Sequence, residues 1–353
     1  MSADSKSASL LSGDYAVNHI DHLAPIAHIM GGPVIVDTPF LQKTMREYYP
    51  QVASIHVPFH QQILEILALG YERVFFSVAP YRKDLAPVME TFFGRAPQFW
   101  YCPHGNSDKT LKHYGLQHYA LTYGEQMERR LRVEGHGRHL KGHVRTGNIR
   151  RAFYESFRAF YDDLAERLLF SRFAERQTTY LYAPTWNDFD RSTSLFEVAP
   201  SLLEQLPDSI NLIVKLHPWL EHHHPGDVHG LKARFEEKPN VIVLSRSPFL
   251  FSLLGRVDLY LGDFSSIGYE FLPYDRPMFF FDPEVRIRQR ETPLLACGEV
   301  IGKEHYHDIF SYIEHAIARQ GRFSSLRENL YEEAFDGSIS LHSIKKSILE
   351  YGC

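Results

Sequence analysis

Four clusters of polar residues in the sequence carry groups that could bind phosphate or transfer a proton. The first is the run 103–107 (PHGNS), in which His104 precedes a glycine, with Lys109 and Lys112 shortly after it. A histidine on a turn after a predicted strand can present its imidazole to a ligand, and its ordinary pKa suits a general base near neutral pH. An exposed turn histidine without a catalytic role fits the same pattern.

The second and third clusters follow two strands predicted in the second half of the chain. Residues 182–186 (YAPTW) place Thr185 just beyond a strand end, and residues 215–218 (KLHP) place Lys215 and His217 at the end of the next strand. A cation and a histidine there could donate hydrogen bonds to a diphosphate. The proline would stop strand pairing because it lacks an N–H group, so a purely structural cap is the alternative.

The fourth cluster is the run 257–271 (VDLYLGDFSSIGYEF), a buried strand that leads through an Asp/Ser turn into a helix. Asp263 or Ser265 could cap this helix, while its first N–H groups and the hydroxyls of Ser265 and Ser266 could bind phosphate. Glu270 follows one and a half turns later, where a carboxylate could reach ribose hydroxyls. An ordinary capped helix is the competing interpretation.

Three further patterns could suggest a metal site. Asp188 and Asp190 form an Asp-x-Asp pattern, which is short and common. Two histidine groups have spacings that could suit a metal: His222, His223, His224 and His229, and His136, His139 and His143. Both groups lie among polar loop residues without matching cysteines or carboxylates. We therefore predict no metal site and no bound cofactor.

The elements that must position these clusters follow from alternating apolar runs and helical patterns, which predict two series of β-α units around parallel sheets. The predicted strands are residues 34–37, 52–57, 73–78, 98–102 and 119–123 in the first series, and 179–183, 211–216, 241–244, 257–261 and 278–281 in the second. Ligands of open parallel sheets bind beyond the carboxyl ends of the strands, where all four clusters fall.

The domain organisation follows from the same pattern and from a length of 353 residues, which suits about two domains. We predict a Rossmann-like acceptor domain over 1–150 and a connecting helix over 151–176, part of a helical pattern without glycine or proline. A Rossmann-like nucleotide-binding domain follows over 177–336. A C-terminal helix over 337–353 could pack back on the first domain.

Composition excludes several classes of protein. Apolar residues make up 44% and charged residues 23% of the chain, which is typical of a soluble globular protein and excludes disorder. A net charge of −5 argues against a nucleic-acid-binding surface. Three separated cysteines indicate neither a disulfide framework nor a zinc site, and favour a reducing cytoplasm. No apolar run reaches the roughly 18 residues of a membrane span, which leaves peripheral membrane contact open.

Taken in order, these motifs resemble the CDP-glycerol glycerophosphotransferase family, which primes and polymerises teichoic acids and related polyol-phosphate polymers. The segments that carry the resemblance are His104-Gly105 with Lys109 or Lys112, Gly147-Asn148-Ile149-Arg150, residues 182–186, residues 216–218, residues 263–267 and Asp336-Gly337. The chain departs from the family pattern at Asn106, Ile149 and Asn187. The resemblance implies a GT-B fold, in which two Rossmann-like domains face each other across a cleft.

The resemblance also implies roles for the candidate residues. The second domain would bind a CDP-alcohol through Thr185, Lys215, Asp263, Ser265, Ser266 and Glu270. His104 would take the proton of an acceptor hydroxyl, with Lys109, Lys112 and Arg150 on the acceptor side. His217 would act with Lys215 on charge that develops on the departing CMP, without a metal ion. The implied partners are a nucleotide-activated polyol donor and a glycan or lipid-linked acceptor at the inner face of the membrane.

Two other functions fit the same architecture. A nucleotide-sugar glycosyltransferase or epimerase could use the Asp/Ser turn and the following glutamate for a UDP-sugar or another NDP-sugar. A protein that has kept the fold and lost catalysis would bind nucleotide or glycan without turnover. The sequence alone identifies neither the polyol nor the acceptor, and it does not give the oligomeric state.

Overall fold

The computed structural model describes residues 6–106, 109–186, 193–248, 250–281, 293–337 and 339–351. The strands of these residues are β1 (Ser7–Leu11), β2 (Val34–Val36), β3 (Ser54–His56), β4 (Arg73–Phe76), β5 (Gln98–Tyr101), β6 (Tyr119–Thr122), β7 (Gly142–Arg145), β8 (Thr178–Ala183), β9 (Ile210–Lys215), β10 (Val241–Leu244), β11 (Leu259–Gly262), β12 (Met278–Phe281) and β13 (Glu299–Ile301).

The α-helices connect these strands and cover the sheets. They are α1 (Ile20–Met30), α2 (Pro39–Tyr48), α3 (His60–Gly70), α4 (Tyr81–Phe93), α5 (Glu125–Val133), α6 (Ile149–Ser156), α7 (Arg158–Leu168), α8 (Leu195–Gln205), α9 (Pro218–His223), α10 (Pro225–Glu236), α11 (Phe251–Leu254), α12 (Ser266–Phe271), α13 (Ile309–Ile317), α14 (Ser324–Phe335) and α15 (Leu341–Glu350). Shorter 3-10 turns lie between several of them.

The chain divides into two compact units. The first contains Met1–Asn106, Thr110–Ser156 and Glu332–Cys353. Its seven strands pair in parallel in the order β3-β2-β1-β4-β5-β6-β7. The chain builds the sheet outward from β1 in one direction and, from β4 onward, in the other. The point where this direction reverses, between β1 and β4, is where ligands of such sheets bind.

The central strand β1 of the first unit was not among the predicted strands. Its sequence, SASLL, lies in a serine-rich stretch, yet all five residues are buried. Ser9 satisfies its hydroxyl by donating to the backbone carbonyl of Leu23 at 3.4 Å. Small serines fit a strand that helices cover on both faces, and their polarity conceals the strand from a search for apolar runs.

The second unit contains Phe157–Tyr331 together with Lys109. Its six strands are also parallel, in the order β10-β9-β8-β11-β12-β13. The inner strands are continuous apolar runs: all four residues of β12 (MFFF) are buried, as are all four of β11. Such runs are expected where helices cover both faces of a sheet. The direction of winding reverses between β8 and β11.

The two parallel sheets with covering helices confirm the prediction of two Rossmann-like domains. Each predicted strand is present, with ends that differ by a few residues. Strands β7 and β13 were missed because they are short and only partly apolar. The single connecting helix was wrong: α6 ends at Ser156 and α7 begins at Arg158, on either side of Phe157, whose φ of −126° and ψ of 27° are not helical.

The C-terminal helix α15 belongs to the first unit. After it, the ring of Tyr351 packs edge-on against Trp100 with ring centres 5.5 Å apart, and its backbone carbonyl accepts a hydrogen bond from Arg73 at 3.2 Å. The end of the described chain is thereby tied to strands β4 and β5. None of the helices in the described ranges is long and apolar enough to cross a membrane.

Candidate functional site

Two of the predicted clusters meet at the reversal point of the second sheet. Ala183 ends β8 and Gly262 ends β11, and these two residues are register partners on neighbouring strands. The two segments that follow these strand ends, the end of YAPTW and the run DFSS, therefore leave the sheet side by side. A side chain in place of Gly262 would force the buried Tyr260 ring to move, since its Cβ would lie 2.2 Å from the Tyr260 hydroxyl.

The Asp263 carboxylate ties these two segments together. It is fully buried and accepts hydrogen bonds from the backbone N–H of Thr185 at 2.8 Å and from the backbone N–H and hydroxyl of Ser194 at 2.9 and 3.0 Å. Burial raises the pKa of Asp263 to about 6, although the donated hydrogen bonds act in the opposite direction. Asp263 therefore shapes the strand-end loops, and its oxygens are occupied by protein donors.

Lys109 brings a positive charge to the same edge of the second sheet. Its ammonium group donates to the Thr185 hydroxyl at 2.7 Å, and its charge counteracts the rise in the pKa of Asp263. The sequence assigned Lys109 to the acceptor side, but the structure places it within the second unit, beside a residue assigned to the nucleotide. A lysine and a threonine hydroxyl at a strand end can both donate to a phosphate oxygen.

The Asp/Ser turn opens α12 as predicted, with Ser265 as its N-cap: the Ser265 hydroxyl accepts from the N–H of Ile267 at 3.4 Å. Ser266, the first residue of the helix, is half-buried. The helix has only six residues, so its dipole contributes little, and a phosphate here would depend on hydroxyl and N–H donors. Glu270 is fully buried in this helix.

Lys215 and His217 lie at the end of β9, the next strand along the sheet from β8. The Lys215 ammonium donates to the backbone carbonyl of Ser247 at 2.7 Å. His217 caps α9, with its Nδ1 accepting from the N–H of Trp219 at 3.2 Å. Because Nδ1 is an acceptor, a neutral His217 carries its proton on Nε2, which makes Nε2 a hydrogen-bond donor. The described structure thus brings Thr185, Lys215, His217, Asp263 and Ser265 to one edge of one sheet.

A group of aromatic rings beside His217 was not predicted. Trp186 lies with its ring centre 6.1 Å from that of Trp219 and 6.4 Å from that of His217. His223 stacks against both indoles, at 5.9 Å from Trp186 and 5.2 Å from Trp219. Trp186 is the last residue of the YAPTW motif and Trp219 directly follows the KLHP motif, a signal that could have pointed to them. Their indoles are well placed to report on ligand binding by fluorescence.

In the first unit, His104 follows β5 on an exposed turn. Its imidazole stacks on that of His19, with ring centres 4.5 Å apart and planes inclined by 18°, and its Nδ1 lies 3.4 Å from the Tyr101 hydroxyl. His19 is itself held by Ser77, 2.7 Å from its Nδ1. Ser77 follows β4 directly, so these rings lie at the carboxyl edge of the first sheet, next to its reversal point.

Two further histidines of the first unit, His22 and His113, have lowered pKa values. Burial, aided by Arg150 and by neighbouring histidines, holds the pKa of His22 well below its usual value. Burial and the nearby His104 lower the pKa of His113 to about 3. His22 and His113 therefore add little positive charge near neutral pH. His19 and His22 were missed by the sequence analysis because they lie on an ordinary apolar helical pattern.

Two residues assigned to the acceptor side also lie in the first unit. Lys112 is exposed at the start of a 3-10 turn, Lys112–Leu116. Arg150 is buried, and its guanidinium donates to the Asp21 carboxylate, with the Nε contact at 2.9 Å. It follows Gly147, whose φ of 59° favours glycine. In this structure Arg150 ties α6 to α1, and its role toward an acceptor remains a prediction.

The patterns considered for metal ions find no support among the described residues, where no group of three or more His, Cys, Asp or Glu side chains is arranged to hold an ion. Asp188, Asp190 and Asn187 lie outside the described residues. Four arginines between residues 129 and 145 are paired with acidic side chains. The ion pairs are Arg129 with Glu333, Arg130 with Glu134, Arg132 with Glu125, and Arg145 with Glu125, Glu128 and Asp336.

Comparison with known proteins finds a family match within the second unit. Residues 158–294 match the model of CDP-Glycerol:Poly(glycerophosphate) glycerophosphotransferase. This segment of the chain is similar to that family. The resemblance stated from the motifs is thereby confirmed. The matched segment contains Thr185, Lys215, His217 and the run 263–270, whereas His104, Lys109 and Arg150 lie outside it.

A sequence relative agrees with this assignment. Over 122 residues the chain is 28% identical to the teichoic acid glycerol-phosphate primase of Bacillus subtilis (strain 168). The match covers 34% of this chain and 30% of the primase, so the chain spans less than a third of that relative's length.

Solved structures with the same fold cover nearly the whole chain. The wall teichoic acid polymerase TagF is 12% identical with a TM-score of 0.61, over 97% of this chain and 86% of that one. The UDP-GlcNAc 2-epimerase of Neisseria meningitidis (11% identity, TM-score 0.57) and HepE of Anabaena (9% identity, TM-score 0.56) each match over 98% of both chains. At such identities the likeness concerns the fold, and it confirms the GT-B class.

Proposed function

We propose that this chain is a transferase that moves a glycerol-phosphate, or a related polyol-phosphate, from a CDP-alcohol to an acceptor hydroxyl. The acceptor would be a cell-envelope glycan or a lipid-linked polymer, as in teichoic acid synthesis. The observation that carries the proposal is the meeting of the YAPTW and DFSS segments at the reversal point of the second sheet, inside the segment that matches the glycerophosphotransferase family.

The polar groups at this edge suit a diphosphate. Lys109 and Lys215 supply positive charge, His217 supplies an Nε2–H donor, and the hydroxyls of Thr185 and Ser266 can donate further hydrogen bonds. We place the diphosphate of the CDP-alcohol against these groups. Asp263 acts differently: its oxygens are held by Thr185 and Ser194, so we assign it to shaping the loop.

The proposed reaction is a single phosphoryl transfer. The acceptor oxygen forms a bond to the phosphorus that bears the polyol, and the bond from that phosphorus to the bridging oxygen breaks. CMP leaves with the electron pair, and the acceptor proton passes to His104 of the first unit. Lys215 and His217 stabilise the charge that develops on CMP. Because lysine and histidine donors can stabilise this charge, we propose that transfer needs no bound metal ion and no cofactor.

The proposed place of action is the cytoplasm, with peripheral contact at the inner face of the membrane where a lipid-linked acceptor would be found. We expect no nucleic-acid partner, in line with the net charge of −5.

A ligand panel followed by a product assay tests the function. The melting temperature is measured with CDP-glycerol, CDP-ribitol, UDP-glucose, UDP-N-acetylglucosamine and GDP-mannose, since a ligand that binds only the folded state raises it. We expect only the cytidine nucleotides to do so. Release of CMP from CDP-glycerol is then followed by chromatography with lipid-linked and glycan acceptors, before and after exhaustive chelation.

The outcomes separate the three functions. A rise in melting temperature with UDP-sugars alone would identify a nucleotide-sugar enzyme and reject the proposal. A rise with CDP-glycerol without CMP release on any acceptor would identify a binding protein. Activity that disappears on chelation and returns with magnesium or manganese would reject the metal-free step and direct attention to Asp188 and Asp190.

A further inference from the structure

A single buried hydroxyl group makes two hydrogen bonds to the backbone of the turn that carries His104. The Tyr123 hydroxyl donates to the backbone carbonyl of Pro103 at 2.7 Å and accepts from the backbone N–H of Gly105 at 3.0 Å. These are the residues immediately before and after His104. Tyr123 lies directly after β6 and is 2% exposed, and its ring packs edge-on against Phe335 at 5.5 Å. The hydroxyl is thus anchored in the core of the first unit.

The backbone at this turn needs such support. Gly105 has a φ of 123°, a conformation that other residues rarely adopt, so the chain reverses sharply just after His104. The Pro103 carbonyl and the Gly105 N–H both point to Tyr123 rather than to a neighbouring strand. One side chain therefore satisfies two backbone groups that a helix or a sheet would otherwise pair.

A third contact determines which ring nitrogen of His22 carries the proton. Its Nδ1 lies 3.2 Å from the Tyr123 oxygen, and both side chains are buried. A phenol has one proton, and the Pro103 carbonyl can only accept, so that proton points to Pro103. His22 must then donate from Nδ1. Burial keeps the pKa of His22 well below its usual value, in agreement with a neutral ring that carries its proton on Nδ1.

From this geometry we infer that Tyr123 is a positioning residue for His104: its hydroxyl fixes the backbone on both sides of the imidazole and so sets the direction in which the ring points. The inference rests on the proposed function of His104 as the base. The stacked ring of His19, at 4.5 Å, then limits the rotation of the imidazole on the backbone that Tyr123 holds.

The test compares Tyr123→Phe with Tyr114→Phe. Tyr114 is also fully buried in the first unit, and its hydroxyl donates to the Leu121 carbonyl at 3.1 Å rather than to the backbone of the His104 turn. In single-turnover release of CMP from saturating CDP-glycerol, we expect Tyr123→Phe to lower the rate about 10- to 100-fold, because a displacement of about 1 Å at a reacting group has an effect of that size. The KM for CDP-glycerol should change less than about twofold. Tyr114→Phe should keep the wild-type rate.

A spectroscopic measurement separates this inference from the proposed function. The chain is labelled with 13C-histidine, and the Cε1 signal of His104 is identified by its loss in His104→Ala. In Tyr123→Phe we expect this signal to shift or broaden, with hydrogen exchange of the Gly105 amide at least about tenfold faster, while Tyr114→Phe changes neither. Melting curves and near-ultraviolet circular dichroism verify that both variants fold.

Each result decides a different point. An unchanged His104 signal and unchanged Gly105 exchange in Tyr123→Phe overturn the positioning role, whether or not the chain is active. A turnover above half of the wild-type value, or an equal loss in Tyr114→Phe, also overturns it. If the wild-type chain releases no CMP, the proposed function fails, and the NMR and exchange results alone decide whether Tyr123 positions His104.

Discussion

Asp263 accepts a hydrogen bond from the backbone N–H of Thr185 at 2.8 Å across a sequence separation of 78 residues. The bond joins the loops after β8 and β11 at the place where the second sheet reverses its direction of winding. The bond fixes the position of Thr185. It therefore also fixes where the Lys109 ammonium lies, because that group donates to the Thr185 hydroxyl. A buried carboxylate therefore shapes the proposed phosphate site without needing to contact the ligand.

Replacement of this carboxylate should affect both stability and binding. In Asp263→Asn an amide NH2 group faces one of the donors from Thr185 and Ser194, leaving a buried donor unsatisfied. We expect the free energy of unfolding to fall by about 1 to 3 kcal/mol. We also expect the affinity for CDP to fall about tenfold because Thr185 shifts. Chemical denaturation and calorimetric titration with CDP measure the two effects.

A control that also accepts from a backbone N–H lies at the amino ends of the strands of the same sheet, where Asp258 is exposed. Asp258 accepts from the backbone N–H of Thr179 at 2.8 Å, where β8 begins. Asp258→Asn should lose less stability than Asp263→Asn because Asp258 is exposed, and its CDP affinity should stay within about twofold of the wild type. Equal losses of affinity in both variants would show that binding follows overall stability, and would contradict the role given to Asp263.

The serines of the fourth cluster should contribute directly to nucleotide affinity. Ser265→Ala and Ser266→Ala each remove a hydroxyl, and loss of one hydrogen bond to phosphate should cost about 1 to 2 kcal/mol, or roughly five- to thirtyfold in affinity. Quenching of the Trp186 and Trp219 fluorescence by CDP provides the measurement. The control is Thr179→Ala, which removes a hydroxyl at the far edge of the sheet. CDP affinity at the wild-type level in both serine variants would reject this site.

The two candidate catalytic histidines should behave differently when removed. His104→Ala should lower turnover about a hundred- to ten-thousandfold with nearly unchanged nucleotide affinity, as expected for a general base. His217→Ala should weaken CDP binding as well as turnover, because its Nε2–H donor would contact the diphosphate before and during the reaction. Calorimetry and single-turnover kinetics on the two variants test this contrast. More than about a tenth of wild-type turnover in His104→Ala would remove it as the base.

The free energy of unfolding should depend on pH in part through the protonation of His113. Its pKa of about 3 in the folded chain lies below the value of about 6.5 for an unfolded histidine, so acid favours the unfolded state. The stabilising contribution of neutral His113 is fully present above about pH 6.5 and is lost as the pH falls toward 3. The slope should be at most about 1.4 kcal/mol per pH unit.

NMR titration of 13C-labelled histidines checks this directly, with His113→Gln to identify the signal. We expect the His113 ring to stay neutral at pH 5, and the free energy of unfolding of His113→Gln to change less between pH 7 and pH 5 than that of the wild type. A midpoint near 6.5 for His113 would contradict the burial on which the prediction depends.

Much of the fold could be predicted because its signals are local. A parallel strand covered on both faces is a continuous apolar run, so β11 and β12 were evident, and so were the motifs that follow β8, β9 and β11. Glycine and proline marked the ends of these elements. The exceptions have local causes as well. Strand β1 was missed because its buried serines are polar, and the break at Phe157 was missed because the residues 148–176 include no glycine or proline.

The partners of each functional side chain could not be predicted in this way. Lys109 was assigned by its nearness to His104 in sequence, yet it bonds to Thr185, 76 residues away. Tyr123 carries no motif and acquires its role because β6 ends beside the turn that follows β5. Sequence by itself determined which residues form strands, turns and helices, since those depend on neighbours along the chain. The tertiary structure decided which of them meet, because strand order and register bring together groups from distant segments.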